Sequence, residues 1–220
     1  MSGHLITSWA IIRGNRVLVD GITSVVDDIF INFAAFIKAL YKKEQLNYPK
    51  FYKMDNLSKL GFLTAELIFK SRNIPERYKK EEVGIVISNS SSSLDTDIHY
   101  QETISDSANY YPSPSVFVYT LPNILIGEIC IKNGITGENA FLISEKFNGE
   151  LICNYVDNLL QNNNIQACLC GWVELLMEDY ESCLMIVEKE EVLTGRNEGT
   201  EKYRAFTKEN VTQLYFNKGM

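Results

Sequence analysis

Tyr111 to Gly149 reads YPSPSVFVYTLPNILIGEICIKNGITGENAFLISEKFNG. Pro112 and Pro114 hold its entry extended, and Thr120 is placed to cap a helix that takes Pro122 in its first turn, where a missing N–H costs nothing. Asn133-Gly134 ends that helix. A second turn, Thr136-Gly137, feeds a short apolar strand from Asn139 to Ser144, and the chain turns again at Lys146-Phe147-Asn148-Gly149 into another helix.

The flanks continue the alternation. Upstream, His4 to Ile12 reads as a buried strand, Gly14-Asn15 turns it into Arg16 to Val19, and Asp20-Gly21 ends the hairpin. From Asp27 to Tyr41 apolar residues recur at three and four, which predicts a helix with one broad core face. Asp55 opens a helix from Asn56 to Phe69, Ser71 to Glu82 is a polar surface loop, and Val83 to Ile87 is a continuously apolar strand of the parallel-sheet type. Ser88 to Asp97, SNSSSSLDTD, is either a phosphate cradle or a tight turn with a cap. The turn is preferred, because the lysine and glycines of a P-loop are missing.

Downstream, Glu150 to Leu160 predicts a helix with an apolar face (Leu151, Ile152, Tyr155, Val156, Leu159, Leu160) and a polar one (Asn154, Asp157, Asn158). Gln166 to Leu176 and Ser182 to Glu188 predict two neighbouring antiparallel strands. Thr194 to Thr200 is expected as a flexible loop, and Thr207 as the cap of a last short helix anchored by Val211, Leu214 and Tyr215. The pattern is α/β, a mostly parallel sheet of five main strands with helices on its faces.

With 220 residues, 45% of them hydrophobic and 22% charged, the chain can bury one sizeable core. Its formal net charge of −7 argues against nucleic acid, which needs a basic footprint to displace counterions. The start, MSGHLITSWAIIRG, lacks the basic-then-apolar order of a secretion signal, and the best apolar run, Ile29 to Leu40, is interrupted by Asn32 and Lys38. A cytoplasmic chain without a membrane span is expected. Cys130, Cys153, Cys168, Cys170 and Cys183 sit in apolar contexts without C-x-x-C spacing or nearby histidines, so they read as reduced core thiols rather than metal ligands. No cofactor is expected.

The order of elements resembles the N-terminal half of the β-ketoacyl synthases of the thiolase-like superfamily. In these a proline-led helix, a glycine turn and a strand run into an Ala-Cys-x-x-Gly nucleophile turn. Lys53-Met54-Asp55 looks like the family's Lys/Arg-Met-Asp helix start, VGIVISNSSSS (Val83 to Ser93) like its strand and Gly/Ser-rich turn, and IQACLCGWVE (Ile165 to Glu174) like its strand ending in Gly-Gly-x-Glu. The resemblance covers most of residues 4 to 190. It implies a thiolase-like half-fold with sheet order 3-2-1-4-5, the strands being His4, Val83, Asn139, Gln166 and Ser182 in turn. Residues 1–193 would form the ketosynthase N-terminal-like domain, with 194–220 a loop and helix packed on it.

The departures matter as much. With Gly149 matched to the glycine after the nucleophile, the cysteine position falls on Lys146. The two histidines that decarboxylate malonyl belong to a second half that this chain lacks, and His4 and His99 lie outside the expected motifs. The resemblance therefore implies a non-catalytic accessory protein of type II fatty acid, polyketide or aryl-polyene synthesis. The alternative is a 3-oxoacyl-[acyl-carrier-protein] synthase or other acyltransferase subunit active only in complex.

The family's dimer joins its edge strand across a two-fold axis, so Ala140, Phe141, Leu142 and Ile143 would be the pairing edge of a homodimer or of a heterodimer with a full-length ketosynthase. Leu142→Pro would test it if that N–H points outward. Lys38, Lys42, Lys43, Lys50, Lys53 and Lys59 concentrate positive charge in an acidic chain and would form a docking face for an acidic acyl carrier protein.

Overall fold

A computed structural model describes residues 3–24, 32–108, 110–162 and 164–216 of the chain. Strand β1 (His4–Arg13) turns back through Gly14 and Asn15 into β2 (Arg16–Val19), and Asp20-Gly21 leads on to a short β3 (Ile22–Ser24). Helix α1 (Phe33–Lys43) starts at Asn32, whose side chain accepts the Ala35 N–H, and ends over Lys42 and Lys43, cations at the negative end of the helix. The expected stretch from Asp27 to Ile31 lies outside the described residues. Asp55 caps α2 (Asn56–Arg72) by accepting the Ser58 N–H, as the sequence predicts. α2 runs three residues past Phe69 to close on a left-handed Asn73, and α3 (Ile74–Arg77) follows, so the polar connection is mostly helical.

Strand β4 (Val83–Asn89) is buried along its whole length. Three helices, α4 (Leu94–Glu102), α5 (Pro114–Phe117) and α6 (Ile124–Asn133), then lead to β5 (Asn139–Ile143). Thr120 does not cap α6. Ser113 and Pro114 already start α5, the Thr120 hydroxyl donates to the Phe117 carbonyl, and Pro122 stands before α6 rather than inside it. The helix ends at Gly134 as expected, and a Cβ on Gly137 would lie 2.3 Å from the Val83 carbonyl oxygen, so the turn into β5 accepts only glycine. Asn148 caps α7 (Gly149–Gln161), and β6 (Ala167–Leu176) and β7 (Asp179–Lys189) form a hairpin. The segment expected as a loop begins inside α8 (Glu190–Gly195). Then β8 (Arg204–Ala205) pairs with β1, and Thr207 caps α9 (Lys208–Tyr215) as predicted.

The main strands lie in the order β1-β7-β6-β4-β5, with β2 and β3 beyond β1. β5, β4, β6 and β1 run one way and β7 the other, so the sheet is mixed, parallel across β5, β4 and β6 and antiparallel on both sides of β7. In the five-strand numbering the order is 3-2-4-5-1 rather than 3-2-1-4-5. The first strand cannot lie between β4 and β6, because these pair directly from Val83↔Ala167 to Ser88↔Trp172; it takes the free side of β7 instead.

Both faces are covered. α1, α2 and α6 pack on one side, α7 and α9 on the other, and β7 shows the period of two between them: Leu184 and Ile186 face the first core, Cys183, Met185 and Val187 the second. α7 presents Ile152, Val156 and Leu160 to the sheet and leaves Asn154 and Asn158 in water, a two-sided helix as expected, although Tyr155, expected on the apolar face, is exposed. Cys153, Cys168, Cys170 and Cys183 share the second core as free thiols, and burial pushes Cys153 and Cys183 up to about 12.

Candidate functional site

Lys146 sits in the exposed turn between β5 and α7, where its carbonyl accepts the Ser144 hydroxyl at 2.7 Å. It borders a cleft of about 410 Å³ shared with Asn148, Gly149, Lys208 and Thr212. The acid in the first turn of α7, Glu150, is paired with Lys208 of α9 at 2.5 Å. Neither histidine reaches this turn. His4, bonded through Nδ1 to Asp157 at 2.6 Å, lines a different cleft of about 590 Å³, and His99 lines a third of about 250 Å³ beside Lys53 and Asp55.

Gly149 is buried, as a turn glycine should be, but its tight neighbour is not the strand. A Cβ there would meet Thr212 Oγ1 at 2.9 Å and Val211 Cγ1 at 3.4 Å, so α9 is what presses on this residue. Gly149→Val is therefore expected to cost about 1–3 kcal/mol by overpacking the α7–α9 contact, read as a lowered urea midpoint. The paired variant Gly149→Val with Thr212→Ala should recover part of the loss.

β5 is the outermost strand on its side of the sheet. Ala140, Phe141 and Leu142 are half-buried and Ile143 is exposed; Phe141 leans on the first core and Leu142 on the second. The Glu138 carbonyl accepts the Ile85 N–H and the Ser144 N–H donates to the Asn89 carbonyl. In a parallel ladder the bonding residues alternate, so the N–H groups of Ala140 and Leu142 face β4, and those of Phe141 and Ile143 face the open edge. Leu142→Pro is thus the wrong test of edge pairing, since it would break the ladder inside the fold. Ile143→Pro is the right one.

The serine-rich turn after β4 holds an anion of the chain's own. Glu174, at the end of the motif on β6, accepts the Ser90 N–H at 2.6 Å, the Ser90 hydroxyl at 2.8 Å and the Ser91 N–H at 3.3 Å. Two motifs read separately from sequence meet in this contact, and the amides a phosphate would need are occupied.

The six lysines are divided by the fold. Lys50 pairs with the buried Glu128 at 2.8 Å, and Glu128 also accepts the Tyr119 hydroxyl at 2.9 Å, so Lys50 belongs to a structural cluster. Lys59 is half-buried, and burial lowers its pKa despite nearby Asp55. Lys38, Lys42, Lys43 and Lys53 are exposed on α1 and the turn before α2.

Sequence reasoning missed the densest polar cluster. Glu188 of β7 is fully buried and accepts from Arg72 Nη2 at 2.7 Å, Arg72 Nε at 3.0 Å, the Tyr78 hydroxyl at 2.6 Å and the Thr7 hydroxyl. Arg72 and Arg77 extend from it to Glu198, and Arg72 to the Tyr203 hydroxyl at 2.9 Å, tying the segment after α8 to the body. The signal was present as a charged residue closing the apolar run CLMIVE, opposite two arginines in KSRNIPER.

The geometry defines an α/β fold of the kind seen in ketosynthases. Among solved structures, the ishigamide ketosynthase/chain length factor matches with a TM-score of 0.63 at 18% identity, over 86% of this chain and 62% of that one. AntDE:AntF, a type II PKS acyl-carrier protein in complex with its ketosynthase, matches with a TM-score of 0.60 at 13% identity, over 89% and 65%. The ketosynthase ApeO in complex with its chain length factor ApeC from Xenorhabdus doucetiae matches with a TM-score of 0.52 at 13% identity, over 84% and 78%. The chain thus spans less than two thirds of the first two proteins it resembles, a half-fold, and the likeness is one of fold. No family model matches the sequence, and no curated protein matches it. Among the described residues no single helix is long and apolar enough to cross a membrane.

Proposed function

We propose that the chain is a non-catalytic, cytoplasmic ketosynthase-like partner in a type II polyketide, fatty acid or aryl-polyene assembly line, pairing with a full-length ketosynthase. Residues 1–193 form the ketosynthase-like unit and 194–220 a strap on the same domain. The observation that carries the reading is the open apolar edge of β5, which runs straight into a turn holding Lys146 where a thiolate would be needed. A cation at a helix start opposes the dipole that activates a cysteine there, and no histidine lines the same cleft. The ketosynthases paired with chain length factors among the structural neighbours support a partner of this kind.

An edge strand gains from a partner that supplies backbone donors and acceptors, so pairing should be visible at single amides. On addition of a full-length ketosynthase of the same organism, hydrogen exchange at Phe141 and Ile143 is expected to slow while that at Tyr155 stays the same. Ile143→Pro should weaken the pairing with little change in thermal stability. Unchanged exchange along β5 in a mixture that does form a complex would move the interface elsewhere. The acyl carrier protein is a second partner in this proposal, held by Lys38, Lys42, Lys43 and Lys53 and released at high salt.

A further inference from the structure

The cleft of about 590 Å³ beside His4 shares no residue with β5 or with the Lys146 turn. It is walled by the start of β1, the last turn of α7 and the junction of β7 with α8. His4 stands two positions before Ile6, so the strand period sends its ring to the side that α7 covers, and there Asp157 holds Nδ1 at 2.6 Å. The backbone is pinned as well. The His4 carbonyl accepts the Phe206 N–H at 2.9 Å, and the residue lies opposite Lys189 in the ladder between β1 and β7. His4 is only 6% exposed, yet it lines the cleft, and among the described residues its Nε2 has no partner. A carboxylate on one ring nitrogen fixes the tautomer and the orientation of the other. Nδ1–H donates to Asp157, and Nε2 carries a lone pair that the described chain leaves unused.

The surrounding charges select what could use it. Glu190 and Glu191 open α8 with exposed side chains, and α7 reaches the cleft through Leu160 and Gln161 with no basic residue in its last turn to answer the negative end of the helix. Among the described residues the one cation lining the cleft is Lys189, which is 4% exposed and has interactions of its own. An anion such as phosphate is opposed by both glutamates. Among the described residues no three His, Cys, Asp or Glu side chains come close enough to hold a metal ion. Thr194, the sole hydroxyl among the described residues lining the cleft, donates to the carbonyls of Glu190 and Glu191 at 3.0 and 3.1 Å, so the pair of His4 and Asp157 has no nucleophile there to activate. The arrangement suits binding.

We infer that this cleft binds a small organic cation bearing a primary ammonium group, which donates one N–H to His4 Nε2 and sets its charge against Glu190, Glu191 and the carbonyl end of α7. Both the donor and the charge are needed. A quaternary ammonium carries the charge without the N–H, and phosphate carries the wrong sign.

The probe is putrescine, titrated into the full, isotope-labelled chain at constant ionic strength in mildly alkaline buffer and followed through the imidazole nitrogen resonances. The chain has two histidines, so His99 serves as an internal control. Before addition, His4 should carry its proton on Nδ1; on addition its Nε2 signal should move saturably in the millimolar range while His99 stays still. Glu190→Gln with Glu191→Gln should weaken binding about 10-fold, as the loss of two solvent-screened charge contacts would. The melting temperature of that variant should match wild type, because both carboxylates are exposed. His4→Phe should abolish binding, and since it also deprives Asp157 of its partner, its result is read beside the glutamine variant, whose core is untouched. Absence of a His4 shift overturns the site. An equal shift with inorganic phosphate overturns the cation, and an equal response to tetramethylammonium, or full affinity in the glutamine variant, overturns the assigned contacts.

Discussion

Glu188→Ala is expected to destabilise the fold by about 3–5 kcal/mol, the cost of leaving a buried ion pair with one partner removed. The carboxylate is fully buried and is the common acceptor for Arg72, Arg77, Tyr78 and Thr7. Without it, two guanidinium groups from α2 and α3 keep Glu198 as their shared carboxylate and Arg72 keeps the Tyr203 hydroxyl, and Arg77 Nε is buried without a hydrogen-bond partner even in the intact cluster. The loss should be larger than for Arg72→Met, which leaves Glu188 still bonded to Arg77 and Tyr78. Because Glu198 and Tyr203 join the same cluster, amide exchange from Arg196 to Phe206 should accelerate in the variant before the sheet itself opens. A urea midpoint within a few tenths of wild type would contradict the account of this cluster.

The second large effect concerns catalysis. Purified chain is expected to release no carbon dioxide from malonyl-carrier protein and to form no condensation product, and Lys146→Cys is expected to restore neither. A thiolate at position 146 would sit in a turn whose cleft contains no histidine, while His4 is engaged with Asp157 and His99 lies beside Asp55 in other clefts. Removing one member of a catalytic unit costs on the order of 10⁶ in kcat, so supplying one member of three repairs almost nothing. Carbon dioxide release by the wild-type chain alone, above a boiled control, would sink this expectation.

Local chemistry made much of the fold legible. Asp55 and Thr207 were readable as caps because each is a short polar side chain before an apolar periodic run, and each accepts an N–H three residues on. Thr120 misled for the same reason: it has the right chemistry, but Ser113 and Pro114 form their own turn first. The strand order was not legible. β4, β6 and β7 are apolar on both faces, so their sequences carry no mark of which neighbour each one has, and only direct pairing of β4 with β6 places β1 outside β7.

The candidate site was legible in its backbone and not in its surroundings. The turn at Lys146 was read from sequence and the edge at β5 followed from the family resemblance, yet the direction of the Leu142 N–H depends on ladder parity, which a strand pattern does not fix. The pressure of α9 on Gly149 joins residues some sixty positions apart, as does the Glu188 cluster over a longer span. No periodicity reports contacts of that range. Glu174 in the serine turn is the instructive middle case, since both motifs were seen and only their meeting was not.

The most direct test of the central claim is the mass, in solution, of the wild-type chain mixed with a full-length ketosynthase of the same organism. The account predicts a stable complex of one chain with one synthase, formed by a chain that shows no condensing activity alone. A wild-type chain that stays monomeric at micromolar concentration beside a folded, active synthase would contradict it.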